Sequence, residues 1–360
     1  MAGKSYNVGV IGYGMSAKVF HIPLIQVTPQ FVLHSIVQRT PKPNDDASKD
    51  HASAKIYHSA EDMFADSSVD IIAITTTPDT HFSFTKSAIE AGKHVVVEKP
   101  FVPTSREAQV LVELSAKTGK LICVYQNRRW DSDFLTIKKL LDEGTIGRCV
   151  EFNTHFDRYK PARPETWKGT LGMDQAGGVI YDLGTHLIDQ AYVLFGMPAS
   201  VTGIFANQRN DGAAEPDSIT VVLQYGNGGP LVTVKAGVMS IETKQLRYWV
   251  RGTEGSFKKF HLDVQEDQLK AGKKPGDSGF GVENADSAGL LTTLEDGKPK
   301  KRAHENVQPL TYAALYAGFA RAIEGGGADS VPVKAAEARD VLKIIEAARE
   351  SAKSGKTIKV

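Results

Sequence analysis

Hydrophobic and polar positions follow two periods along this chain, and the change from one to the other divides it. From residue 7 to about 125, short apolar runs alternate with helical patterns, as in a parallel sheet wrapped by helices. The runs are 8–12 (VGVIG), 32–37 (VLHSIV), 69–75 (VDIIAIT), 94–99 (HVVVEK) and 120–125 (KLICVY). Between them, Phe84 to Ala91 and Ser105 to Thr118 carry apolar residues at three- and four-residue spacing. Gly92 and Gly119 follow, where a left-handed helix end favours glycine. A further helical segment at about 132–143 ends at Gly144 and Gly147.

The period then falls to two. Residues 149–156, 200–208, 218–225, 231–238 and 246–252 alternate as antiparallel strands with one buried face. A polar, glycine-rich stretch at 264–306 reads as a surface excursion, and helices at 312–324 and 333–353 close the chain. The fold class expected is α/β: a Rossmann dinucleotide-binding domain over 1–125, then an α+β domain over 126–360 with an open, predominantly antiparallel sheet. The last helix is free to pack back on the first domain.

Composition narrows the partners. The 43 Lys and Arg nearly balance the 42 Asp and Glu, so no broad field favours nucleic acid or an anionic membrane. Cys123 and Cys149 lie in apolar runs and read as buried thiols of a reducing compartment. With neither a secretory signal pattern nor a membrane-spanning run, the expected location is the cytoplasm.

The first strand runs into Gly12-Tyr13-Gly14-Met15-Ser16-Ala17. In such a hexad the first glycine permits the tight turn, the second lets backbone approach a pyrophosphate, and the small sixth residue lets the helix pack against the strand. The helix N-terminus adds unpaired N–H groups. An acid at the end of the second strand would bind the ribose of NAD; the sequence there is Gln38-Arg39-Thr40, with Asp45 the first carboxylate. Arg39 suits a 2′-phosphate, which favours NADP(H) over NAD(H); an exposed loop arginine is the alternative. In Thr75-Thr76-Thr77-Pro78-Asp79-Thr80-His81, helix capping competes with cofactor contact for Thr76, Thr77 and Pro78, and His81 suits a local structural partner better than a catalyst.

Glu98-Lys99-Pro100 ends the fourth apolar run. Lys99 can polarise a substrate hydroxyl, and Glu98 can orient Lys99 or the nicotinamide ribose; a plain strand exit is the alternative. On a helix, Asp182, His186 and Asp189 share one face, and a carboxylate one turn from an imidazole suits it to acid–base work. A structural helix or a zinc site competes, though the zinc spacings are missing, so no metal is expected. Arg128 and Trp130 suit a polyhydroxylated ring, or else ion pairs; Arg158, Tyr159 and Trp167 are further substrate candidates. His21, in Phe20-His21-Ile22-Pro23, reads as a packing residue.

The order of these motifs resembles the glucose-fructose oxidoreductase/inositol dehydrogenase/rhizopine catabolism (Gfo/Idh/MocA) family, over nearly the whole chain. Phe20-His21-x-Pro23 and residues 126–131 (QNRRWD) are similar to the branch with NADP-dependent scyllo-inositol dehydrogenases. The resemblance implies that Lys99, Asp182 and His186 line the substrate site, with His186 as proton donor or acceptor. It also implies a homodimer or homotetramer built through the second sheet. The activity implied is hydride transfer between NADP(H) and a sugar or polyol carbon. A non-catalytic NADP-binding sensor, or an enzyme using tightly held NAD transiently, stands as the alternative.

Overall fold

The computed structural model describes residues 4–360. These form two compact units. One comprises the chain through Asn127 with Gln265–Phe280 and Leu310–Arg339; the other comprises Arg128–Val264, Gly281–Pro309 and Asp340–Val360.

In the first unit, among the described residues, six parallel strands are β1 (Tyr6–Ile11), β2 (Phe31–Val37), β3 (Lys55–Tyr57), β4 (Ile71–Ile74), β5 (His94–Val97) and β6 (Ile122–Val124). Their order, β3-β2-β1-β4-β5-β6, reverses direction at β1. Loops leaving β1 and β4 therefore diverge, and the crevice between them is where doubly wound sheets take ligands. Every residue of β4 is fully buried, as expected of a strand covered on both faces. The helix Ser105–Thr118 starts in a capping box, Thr104 with Glu107, and stops at Gly119 with φ 69°. Lys55–Tyr57 is a strand the apolar pattern does not announce, because it is three residues long and part-exposed.

In the second unit, nine strands among the described residues are β7 (Cys149–Asp157), β8 (Ser200–Ala206), β9 (Ser218–Gln224), β10 (Leu231–Gly237), β11 (Leu246–Gly252), β12 (Gly255–Phe260), β13 (Gly289–Glu295), β14 (Lys298–His304) and β15 (Ile358–Lys359). They form one sheet in the order β14-β13-β12-β11-β7-β10-β9-β8-β15. Only β7 and β10 pair in parallel. The sheet corrects the reading of 264–306 as an excursion: β13 and β14 form a hairpin that extends it. The strand Lys298–His304 (KPKKRAH) lies at an edge and is almost wholly exposed, so no buried face imposes alternation on it, and its lysines guard an open edge. Gly203 of β8 faces the closing helix Ala335–Ser354 at a distance where a Cβ would stand 2.2 Å from the Ala348 carbonyl oxygen. Cys123 and Cys149 are buried and form no disulfide. No helix among the described residues is long and apolar enough to cross a membrane.

Candidate active site

The first unit carries the dinucleotide turn directly off β1. Gly12 has φ 99°, a conformation L side chains rarely adopt, and a Cβ there would meet the Thr75 hydroxyl at 3.0 Å. Gly14 differs: its φ is ordinary, and a Cβ would meet nothing within 4 Å. The fold makes no demand for glycine at that position, so the open backbone surface fits an anion seated against it. Ala17 is fully buried, which lets the helix lie close, whereas Met15 is exposed. Tyr13 packs inward and donates from its hydroxyl to Asp50 (2.7 Å), with Lys18 above its ring. These residues fit a dinucleotide: Gly14, Met15 and Ser16 would line its pyrophosphate.

At the end of β2, Arg39 is exposed, while Gln38 turns in and binds the backbone of Asp45 and Ala47. The Asp45 carboxylate is taken by Lys18 at 2.5 Å. Thr77 precedes a short 3-10 turn, Pro78–Thr80, and the Thr76 and Thr80 hydroxyls bond at 2.6 Å. His81 is fully buried, with Nδ1 2.9 Å from the Pro100 carbonyl and Nε2 3.2 Å from that of Thr76. It thus ties the loop after β4 to the loop after β5, and burial lowers its pKa against the pull of those carbonyls.

Glu98 is the charged centre of this unit. It is buried, accepts a short hydrogen bond from the Ser16 hydroxyl, and lies 3.0 Å from His21 Nε2. Its second oxygen accepts the Lys99 backbone N–H at 2.9 Å. Burial opposes its ionisation, but the His21 bond, the charges of His21 and Lys99, and Ser16 outweigh that and hold its pKa at about 2. The bond between Lys99 and Pro100 is cis.

In the second unit, Asp182 lies in a π-helical turn, Ile180–Gly184, that runs into the helix Thr185–Phe195. The wider turn changes the simple four-residue stacking expected for Asp182, His186 and Asp189. Asp182 is held by Lys168 (2.8 Å) and Arg158 (3.4 Å). Asp189 is gripped by both nitrogens of the Arg129 fork, at 2.8 and 2.7 Å. The next residue, Gln190, binds the buried Arg247 (2.9 Å) and the Tyr248 hydroxyl (2.7 Å). His186, 5% exposed, therefore sits one turn ahead of an anchored pair on a rigid helix.

The other expected substrate residues separate into two groups. Arg128 is buried, pairs with Asp131 at 3.2 Å and covers the Phe156 ring; Trp130 is part-exposed on the same 3-10 turn. Arg158 and Trp167 gather near Asp182, the first by its ion pair and the second through Lys168, whose ammonium lies 5.5 Å from the Trp167 ring. Tyr159 is half exposed beside them in sequence. Lys168 and Tyr316 join these clusters without having been singled out, and His21, expected as a packing residue, is hydrogen-bonded within one of them. Lys168 sits on a one-turn helix, Trp167–Thr170, whose polar sequence carries no motif, and Tyr316 is hidden among the apolar positions of its helix.

A Rossmann sheet with this turn, joined to an open mixed sheet, defines a nicotinamide-dependent oxidoreductase class. Residues 6–126 match the model of the oxidoreductase family's NAD-binding Rossmann fold, and 138–360 match that of its C-terminal alpha/beta domain. The chain belongs to this Gfo/Idh/MocA oxidoreductase family. It is 37% identical over 353 residues to the scyllo-inositol 2-dehydrogenase (NADP(+)) IolW of Bacillus subtilis, covering 98% of this chain and 95% of the relative. It is 38% identical to the uncharacterized oxidoreductase YdgJ of Escherichia coli, over 98% of each chain. The solved structure of yvaA from Bacillus subtilis superposes with TM-score 0.92 at 36% identity, over 99% of both chains.

Proposed function

We propose that the protein transfers a hydride between NADP(H) and a secondary alcohol or hemiacetal carbon of a cyclic polyol or sugar. The observation that carries this is the likeness over 98% of the chain to a dehydrogenase named for scyllo-inositol and NADP(+). Arg39, exposed where β2 ends, supports the phosphorylated cofactor, since the next carboxylate along the chain, Asp45, is engaged by Lys18.

NADP(H), when bound, supplies or accepts the hydride. In the oxidising direction His186 takes the proton from the reacting hydroxyl as the hydride leaves its carbon, and returns it in reverse. Asp182 orients His186 and favours its charged form, and Lys99 hydrogen-bonds the reacting oxygen. Arg158, Tyr159 and Trp167 offer forks and ring faces to a polyol, with Arg128 and Trp130 as a further set. Gly12 to Ala17, Arg39, Thr76, Thr77, Pro78, His81 and Glu98 make up the cofactor side. Val150, Ile204 and Leu231 are exposed apolar residues on strands of the second sheet and support assembly as a homodimer or homotetramer through it.

The test is a panel of inositols, sugars and their keto forms assayed with NADP+ and NAD+ side by side. His186→Ala should lower kcat at least about 100-fold while NADPH binding is retained. Unchanged turnover in that variant would remove His186 from the reaction, and turnover with NAD+ alone would overturn the cofactor preference.

A further inference from the structure

The Phe20-His21-Ile22-Pro23 run has no part in the reading above, yet His21 is fully buried with both ring nitrogens engaged. Pro23 has no N–H to continue the regular ladder, and the preceding residues Ala17–His21 form a π turn closed by the Ile22 N–H on the Ala17 carbonyl. Nδ1 lies 2.6 Å from the Tyr316 hydroxyl, on the helix Ala313–Arg321, and Nε2 lies 3.0 Å from Glu98. A carboxylate can only accept, so Nε2–H donates to Glu98, and the Tyr316 hydroxyl, which can donate or accept, serves Nδ1 in either state of the ring. Glu98 in turn receives the Ser16 hydroxyl and the Lys99 backbone N–H.

We propose that His21, backed by Tyr316, is a positioning residue: it keeps Glu98 a carboxylate, so that Glu98 fixes Ser16 in the dinucleotide turn and the backbone at Lys99. The inference rests on the reading of that turn as the cofactor site. Groups facing the pair are Ser16 from the turn, Lys99 from the exit of β5, Tyr316, and Tyr125 beyond the end of β6, whose ring centre lies 4.3 Å from that of His21. His81, on the helix His81–Glu90, also feels the Glu98 charge. Lys99 is the permanent cation of this set, and Ser16 donates to the same Oε1 as His21. Without His21, the Lys99 charge and the Ser16 bond are left to oppose burial, and the Glu98 pKa rises.

The experiment compares His21→Leu, His21→Gln and Tyr316→Phe. It measures NADPH affinity by fluorescence titration, and Tm of the cofactor-free protein, from pH 5.5 to 8.5. Glutamine can still donate to Glu98; leucine cannot. His21→Leu should weaken NADPH binding about tenfold near pH 7, with affinity recovering as pH rises and Glu98 ionises. His21→Gln should stay within about threefold of wild type and be flat with pH, and Tyr316→Phe should fall between the two. Neither position-21 variant carries the histidine's own titration, so the Tm gap between them reports Glu98. That gap should be widest at pH 8.5 and narrow toward pH 5.5.

A gap that does not move with pH, or equal affinities in the two position-21 variants, assigns His21 to packing and overturns the proposal. Should His21→Leu fail to fold, His21→Gln decides: affinity within about threefold of wild type upholds the proposal and a larger loss overturns it. If the wild type binds no nicotinamide dinucleotide, the cofactor reading fails, and the Tm gap still decides whether His21 holds Glu98 ionised.

Discussion

Glu98 and Asp182 are both buried carboxylates in segments where chemistry is expected, but they are kept in opposite ways. Glu98 is held by a hydroxyl, an imidazole and a backbone N–H, within one densely packed unit. Asp182 is held by two long cationic side chains, Arg158 and Lys168, each about a third exposed. The first arrangement is set by the fold. The second depends on flexible stems that solvent reaches, so its ion pairs contribute little to stability and can yield to a ligand's hydroxyl groups. Rigid support sits under the turn, and adjustable support sits around Asp182.

The largest effect that can break this contrast is acid. Glu98 has a folded pKa of about 2 against an ordinary value of 4.5, so its stabilising share is present above pH 4.5 and is lost as pH falls toward 2. That share is about 3 kcal/mol, read as the wild-type minus Glu98→Gln stability gap in urea melts, which should close over that range. At pH 7 the whole of that gap should be seen, Glu98→Gln costing about 3 kcal/mol, since its amide group meets donors where acceptors are needed. Asp182→Asn should cost under about 1 kcal/mol in the same melts, because its cations are screened and can find water. Equal losses for the two variants would erase the distinction. Gly14→Ala should leave stability within about 0.5 kcal/mol of wild type yet weaken NADPH binding. A fall in Tm there would show that the fold, rather than a ligand, requires the glycine.

Strands with a buried face were legible because burial writes itself as apolar periodicity: β7, β9, β10 and β11 begin and end within about two residues of their expected spans. The β13–β14 hairpin was not, since one of its strands is an exposed edge. For the site, motif positions could be named from spacing, but partners could not. The Arg129 fork on Asp189 and the Lys168 contact to Asp182 join residues 60 and 14 positions apart, and no local pattern encodes such pairs. His21 illustrates the limit: an imidazole on an apolar face looks like packing until Tyr316, 295 residues away, appears at its nitrogen.

That distance also has a consequence for how the protein is made. Tyr316 and Phe319, both fully buried, belong to the first unit's core, and the Tyr316 ring lies against Phe31 and Tyr125. A nascent chain emerging from the ribosome reaches Asn127 with that seat vacant, and translating the stretch to Leu310 takes roughly 10–40 s at ordinary elongation rates. Through that interval the N-terminal segment must remain unaggregated with an aromatic face uncovered, so the vectorial order of synthesis, rather than the final stability, sets when this unit can finish folding.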